Sequence, residues 1–194
     1  MIKLSNVTLI VVSGLDYQTE ENIEAIKKSC KGIEFGAIKY IQDDKIKNIE
    51  NWNRAVIYDL PKYVDTSHAL LIHADGYVIN PMLWRPEWMD YDYIGAPWPL
   101  PKDGYSYRDE EGQLQRVGNS VSLRSKKLMD LIATKPEKEF LAIKEKYGNT
   151  NEDGFICCHN RKWLELKGCR FAPLEVAVHF SKEHEIPENK DLMT

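Results

Sequence analysis

The sequence predicts a single-domain α/β fold with a mostly parallel central sheet flanked by helices, and three observations carry that prediction. Apolar, β-branched runs at residues 7–12 and 69–72 lack polar alternation, as strands buried on both faces do. Segments of helical spacing alternate with these runs, the order of crossover units in a parallel sheet. A length of 194 residues, 43% hydrophobic and 29% charged, supplies one substantial core and too little for two.

Taken in order, Val7-Thr8-Leu9-Ile10-Val11-Val12 reads as a central strand that stops at Ser13-Gly14. Thr19-Glu20-Glu21-Asn22 places acids in the first turn of a helix that runs to about Cys30, with Ile23, Ile26 and Lys27 at helical spacing. Residues 34–41 form the next strand, residues 51–58 a helix, and Ala69-Leu70-Leu71-Ile72 a third buried strand ending at His73-Ala74-Asp75-Gly76. Ligands of open α/β sheets collect at the carboxyl ends of parallel strands, so Ser13, Gly14, Asp43, Asp44 and Asp75 are expected to face one crevice.

Residues 99–116 show no apolar period and carry glycine, proline and tyrosine, which predicts a long aromatic lid-like loop. Beyond it, residues 120–123 predict a short strand, residues 126–133 and 136–147 two helices, and Asn151-Glu152-Asp153 the capped start of a helix to Leu166. The domain is expected to fill residues 1–185, followed by a frayed polar tail over 186–194. Neither an internal repeat nor a linker divides the chain.

A net charge of -4 and a pI near 5.8 give no general attraction to nucleic acid or to an anionic membrane. The apolar run at 7–12 is far below the roughly 20 residues of a membrane helix, so no transmembrane segment and a cytoplasmic location are expected, with peripheral attachment at the inner membrane as the variant. Cys30, Cys157, Cys158 and Cys169 include no Cys-x-x-Cys and are expected as reduced thiols. On a helix, Cys157, Cys158 and His159 would point apart, which argues against a zinc site with Cys169.

Five stretches, in order, carry a resemblance: Asp75; Tyr91-Asp92-Tyr93-Ile94-Gly95-Ala96-Pro97-Trp98; Val117-Gly118-Asn119 with Ser122-Leu123-Arg124-Ser125; Asn151-Glu152-Asp153; and Phe171-Ala172-Pro173 with Glu175, Ala177, Phe180-Ser181 and Glu183. Together they resemble a domain-of-unknown-function family of GT-A-like glycosyltransferases from bacterial surface-polysaccharide loci and algae. The resemblance implies a GT-A-like sheet and transfer of a sugar from a nucleoside-diphosphate donor, first of all a UDP-sugar, to a hydroxyl on a glycan or lipid-linked acceptor, with inversion.

On that resemblance, Asp75 holds a divalent cation, Mn or Mg, with His73 as a second candidate ligand, while Ser13, Gly76, Gly118 and Asn119 meet the donor. Trp98 and Arg124 are the acceptor candidates, and Asp153 with Glu152 the catalytic carboxyls. The stretch His73-Ala74-Asp75-Gly76 replaces the family's Gln-Trp-Asp-Gly, and 117–125 lacks a glycine pair found in the family's Gly-Asn-Gly-Gly-Phe-Ser-Leu-Arg-Ser. A Phe-Gly-x-His segment that supplies a further metal ligand in the family has no counterpart up to Thr194, with His179 and His184 the candidates in its place and weak metal affinity expected. These departures motivate an alternative, a catalytically degenerate module that binds a nucleotide sugar without turnover. A nucleotidyltransferase ranks third, because Ser13-Gly14-Leu15-Asp16 contains no basic residue for phosphate.

Overall fold

The longest strand, β1 (Ile2–Gly14), organises the molecule, and Val7, Leu9 and Ile10 within it are fully buried. The computed structural model describes residues 1–147, 151–188 and 193. β1 pairs in parallel with β2 (Ile33–Asp43) and with β3 (His68–Leu71). β5 (Val117–Ser125) lies against β3 and against β4 (Tyr93–Pro97), antiparallel to both, giving the order β2-β1-β3-β5-β4. The five-stranded sheet is therefore mixed, with two parallel and two antiparallel pairings in place of the mostly parallel sheet expected. Topology explains the difference. β4 runs in the direction of β3, and the loop after it returns the chain between the two, so β5 must run against both neighbours.

Alternation along β1 sorts the core onto the two faces of the sheet. Val7, Leu9 and Val11 join Leu70, Ile94, Leu123, Trp88 and Phe180 on one side. Ile10 and Val12 join Leu71, Val56, Leu60 and Met129 on the other. Trp88 is fully buried and meets Trp84 and Phe180 edge-on, so it serves packing.

Helix α1 (Thr19–Ser29) follows β1, with Glu20 and Glu21 in its first turn and Lys27 and Lys28 in its last, the arrangement that suits the helix dipole. α2 (Ile49–Arg54) starts at Asn48, whose side chain accepts the Asn51 amide at 2.9 Å. It does not end as an α-helix. The chain widens into a π turn at Ala55–Asp59 and tightens into a 3₁₀ turn at Leu60–Tyr63, where Pro61 has no amide to continue the ladder. α3 (Lys126–Ile132) is capped by Ser125 and α4 (Glu137–Tyr147) follows it.

The helix expected over 151–166 is broken into α5 (Glu152–Gly154), a π turn at Phe155–His159, and α6 (Arg161–Leu166). α7 (Leu174–Ala177) completes the set. At the end of the chain, Ile186 and Met193 are buried, and the Met193 carbonyl accepts the amides of Ile79 and Asn80. Those two residues belong to the packed body; residues 189–192 and 194 of the expected tail lie outside the described residues. Among the described residues no helix is long and apolar enough to cross a membrane.

Candidate functional site

The ends of β1 and β3 and the start of β5 border a cleft of about 910 Å³. Ser13 and Gly14 from β1, Asp75 and Gly76 from the turn after β3, and Asn119 from β5 line it, so five of the expected donor-side residues meet there. Gly118 does not. Asp43 and Asp44 also stay outside; Asp43 instead accepts the Lys45 amide at 2.9 Å in the turn after β2. Ser13 is 4% exposed, and its hydroxyl bonds the Gly14 carbonyl and the Tyr40 hydroxyl.

The turn carrying Asp75 is a tight one. His73 and Gly76 exchange backbone hydrogen bonds at 2.8 and 3.2 Å, which turns the Asp75 side chain outward at its tip, where it is exposed. A Cβ on Gly76 would lie 2.5 Å from Val121 Cγ2, so the glycine is needed for the turn to sit on β5. His73 packs at 5.2 Å against Trp52, and burial pushes its pKa down to about 4, which keeps the imidazole neutral. Its Nε2 is closed off and without a hydrogen-bond partner.

A second cleft of about 330 Å³ adjoins the first. Asp153 and Trp98 line it, together with Tyr105 and Tyr107 of the loop at 99–116 and Glu183 from the segment after α7. Glu183 lines both clefts, and Asn119 ties them together. The Asn119 amide donates to Asp153 Oδ2 at 3.1 Å, while its side-chain amide donates to the Glu183 carboxylate. Its Oδ1 accepts the Val121 amide at 3.2 Å, and its carbonyl accepts the Tyr93 hydroxyl. These four bonds hold Asn119 at φ 77, a left-handed conformation that a non-glycine residue adopts only where its surroundings impose it.

Asp153 accepts a second amide, that of Gly154, at 2.7 Å. Burial, and next the charge of Glu152, push its carboxyl up to about 7 against the Gly154 amide and the Arg124 charge, which favour ionisation. It is therefore near half-ionised at neutral pH, the condition under which a carboxyl both takes and returns a proton.

Arg124 and Glu152 line neither cleft. They form an ion pair at 2.8 Å with side chains 1% and 0% exposed, and Arg124 also donates to Ser122 Oγ at 2.7 Å. Glu152 carries its backbone amide to Asn53 Oδ1 at 3.2 Å, which fixes the start of α5 against α2. Arg124 is thus removed from acceptor contact and Glu152 from direct chemistry, both by burial. Their pair anchors the turn that presents Asp153.

Gly118 has a packing role. A Cβ there would lie 1.9 Å from the Trp98 ring, so the indole rests on bare backbone. Trp98 is 4% exposed and stacks on Tyr107 at 4.7 Å and 16°, which makes it the floor of the small cleft. The loop at 99–116 is closed at its base by paired bonds between Trp98 and Arg116. Inside it, Asp103 accepts the amides of Tyr105 and Ser106, and Asp109 those of Glu111 and Gln113. It is a self-bonded loop with a defined shape.

The described residues hold no group of three His, Cys, Asp or Glu suited to a metal ion. Asp75 offers one exposed carboxylate and His73 a sealed nitrogen, so the described residues do not build a cage for Mn or Mg. An ion with one protein carboxylate is held chiefly by phosphate oxygens and water, and Asp75 fits that use alone. All four cysteines are free thiols, three of them buried.

The sheet and its two joined clefts define an α/β protein with a crevice at its strand ends. The chain belongs to the family described as "Protein of unknown function (DUF5672)", whose model matches residues 36–193. No curated protein and no solved structure is significantly similar to it.

The residue that sequence reasoning left without a role is Glu183, quoted within the resemblance but assigned nothing. Tyr105 and Tyr147 carry no signal in the sequence that separates them from other tyrosines. Only the meeting of the loop, the end of α4 and the start of α5 brings them together.

Proposed function

We propose that this protein is a glycosyltransferase that moves a sugar from a nucleoside-diphosphate donor to a hydroxyl acceptor, with inversion. The observation that carries the reading is the position of Asp153, a carboxyl poised near neutral pH in the small cleft and bonded through Asn119 to the wall of the large one. The large cleft takes the donor, with Ser13, Asp75, Gly76 and Asn119 along it. The small cleft takes the acceptor, whose hydroxyl gives its proton to Asp153 as its oxygen bonds to the anomeric carbon. The bond from that carbon to the donor phosphate breaks, and the diphosphate leaves with the electron pair. A divalent ion, where bound, adds positive charge on the leaving diphosphate beside Asp75. The Arg124–Glu152 pair keeps Asp153 in register.

The test is a thermal-shift screen of UDP, GDP, CDP and TDP sugars with and without Mn or Mg, followed by turnover measurement on donors that bind. A donor that raises the melting temperature and is consumed only with an acceptor supports the reading. Binding without turnover favours the degenerate module, for which the absence among the described residues of any group of three His, Cys, Asp or Glu suited to a metal ion speaks. Absence of binding by every nucleotide refutes both.

A further inference from the structure

We propose that the small cleft is a carbohydrate subsite that takes one sugar ring, with Tyr105 and Tyr147 against its apolar C–H surfaces and Asp153 and Glu183 accepting its hydroxyls. The inference deepens the transferase reading and rests on it only in calling that sugar the acceptor. At about 330 Å³ the cleft is at the small end of ligand sites, the size of a ring and not of an extended chain.

Tyr105 is 64% exposed and Tyr147 41%, large aromatic surfaces left in water at the wall of a concave site. The Tyr147 ring and the Tyr105 backbone are held by their surroundings. Tyr147 stacks on His159 at 5.2 Å and 29°, and the Tyr105 amide is bonded to Asp103 at 2.9 Å. Carboxylates only accept hydrogen bonds when ionised, and adjacent hydroxyls of a sugar offer donors at the spacing of two neighbouring carboxyls. Glu183 is 48% exposed and is held at one oxygen by Asn119.

Aromatic walls with two acids also suit an ammonium group. The local charge argues for the neutral ligand. Arg108 lines the same cleft, its guanidinium bonded to the carbonyls of Gly104 and Gly112, and His184 stands 3.6 Å from the Glu183 carboxylate. Asp153 is close to half-protonated at neutral pH, which lowers the negative charge further.

The experiment is saturation-transfer NMR on the full chain with the methyl glycosides of glucose, galactose, mannose and rhamnose, and with choline, each in the presence and absence of UDP. At least one glycoside should receive saturation, and Tyr105→Ala and Tyr147→Ala should each weaken its binding about tenfold. Both tyrosines are exposed, so folding of the variants is checked by their melting temperatures. The inference is overturned if no glycoside binds, if binding is unchanged in both variants, or if choline binds in place of the sugars. UDP binding separates the two readings. Glycoside binding without UDP binding keeps the subsite and removes the transferase reading, whereas UDP binding without a glycoside does the reverse.

Discussion

Replacing Asp153 with asparagine should abolish transfer and, at alkaline pH, make the protein more stable. The carboxyl's pKa stands at about 7 in the folded protein against an ordinary 3.8. At 1.36 kcal/mol for each tenfold change in proton affinity, the rise from 3.8 to about 7 sets a ceiling of about 4 kcal/mol on the cost of ionising it in the fold. Partial hydration of the cleft reduces that to about 2–3 kcal/mol. The carboxamide of the Asp153→Asn variant has one acceptor oxygen where Asp153 accepts two amides, from Asn119 and Gly154, and the orphaned donor costs about 1 kcal/mol.

The net gain at pH 8 is then about 1–2 kcal/mol, roughly 2–8 °C in melting temperature for a chain of this size. The sign follows from linkage. A folded pKa above the unfolded one means stability is full below about 4 and is lost as pH rises through about 7, so the variant's advantage must vanish by pH 4. Chemical unfolding of both proteins at pH 4, 6 and 8 checks this. A difference that does not change with pH would refute the assignment of a raised Asp153 pKa, and near-normal turnover in the variant would refute its role as base.

Gly118→Ala should destabilise by about 2–4 kcal/mol in urea unfolding and change the Trp98 fluorescence, because the new Cβ would stand 1.9 Å from the indole. An unchanged unfolding midpoint would show that the ring moves freely. Glu152→Gln, which removes the carboxylate that pairs with the Arg124 guanidinium in the core, should cost about 3–5 kcal/mol, while the double change Arg124→Met with Glu152→Leu should cost far less. Equal losses would mean that the ion pair is not the relevant interaction. Asp75→Asn should leave urea unfolding unchanged, since Asp75 is exposed, but remove any strengthening of UDP binding by Mn; a retained Mn response would place the ion elsewhere.

The central strands were legible because burial on both faces writes an uninterrupted apolar run, as at Val7 to Val12 and Ala69 to Ile72. β4 was not, since Tyr93-Ile94-Gly95-Ala96-Pro97 is short and contains a glycine and a proline, residues that usually mark turns. Gly95 is there because the backbone of Gly118 passes 1.7 Å from where its Cβ would be, a contact that no local pattern records. The breaks at Ala55–Asp59 and Phe155–His159 escaped for the same kind of reason: a π turn keeps helical periodicity closely enough to hide in it. Of the candidate site, Ser13, Asp75 and Asp153 were readable from strand ends and from an acidic pair at a helix start, although the Asn151 side chain does not cap that helix. The partition of Arg124 and Glu152 into the core was hidden, because a charged residue gives the same letter whether it faces water or a partner across the core.

Glu183 forms part of the wall of both clefts, so ligands held in the two at once would share one carboxylate. A ligand that draws the carboxylate toward one cleft withdraws it from the other, and a ligand that strips it from Asn119 loosens the residue on which Asp153 depends. By reciprocity, whatever factor a first ligand imposes on the affinity for a second is imposed equally in return. Order of addition would then govern which complex forms fastest but not how tightly the pair is finally held.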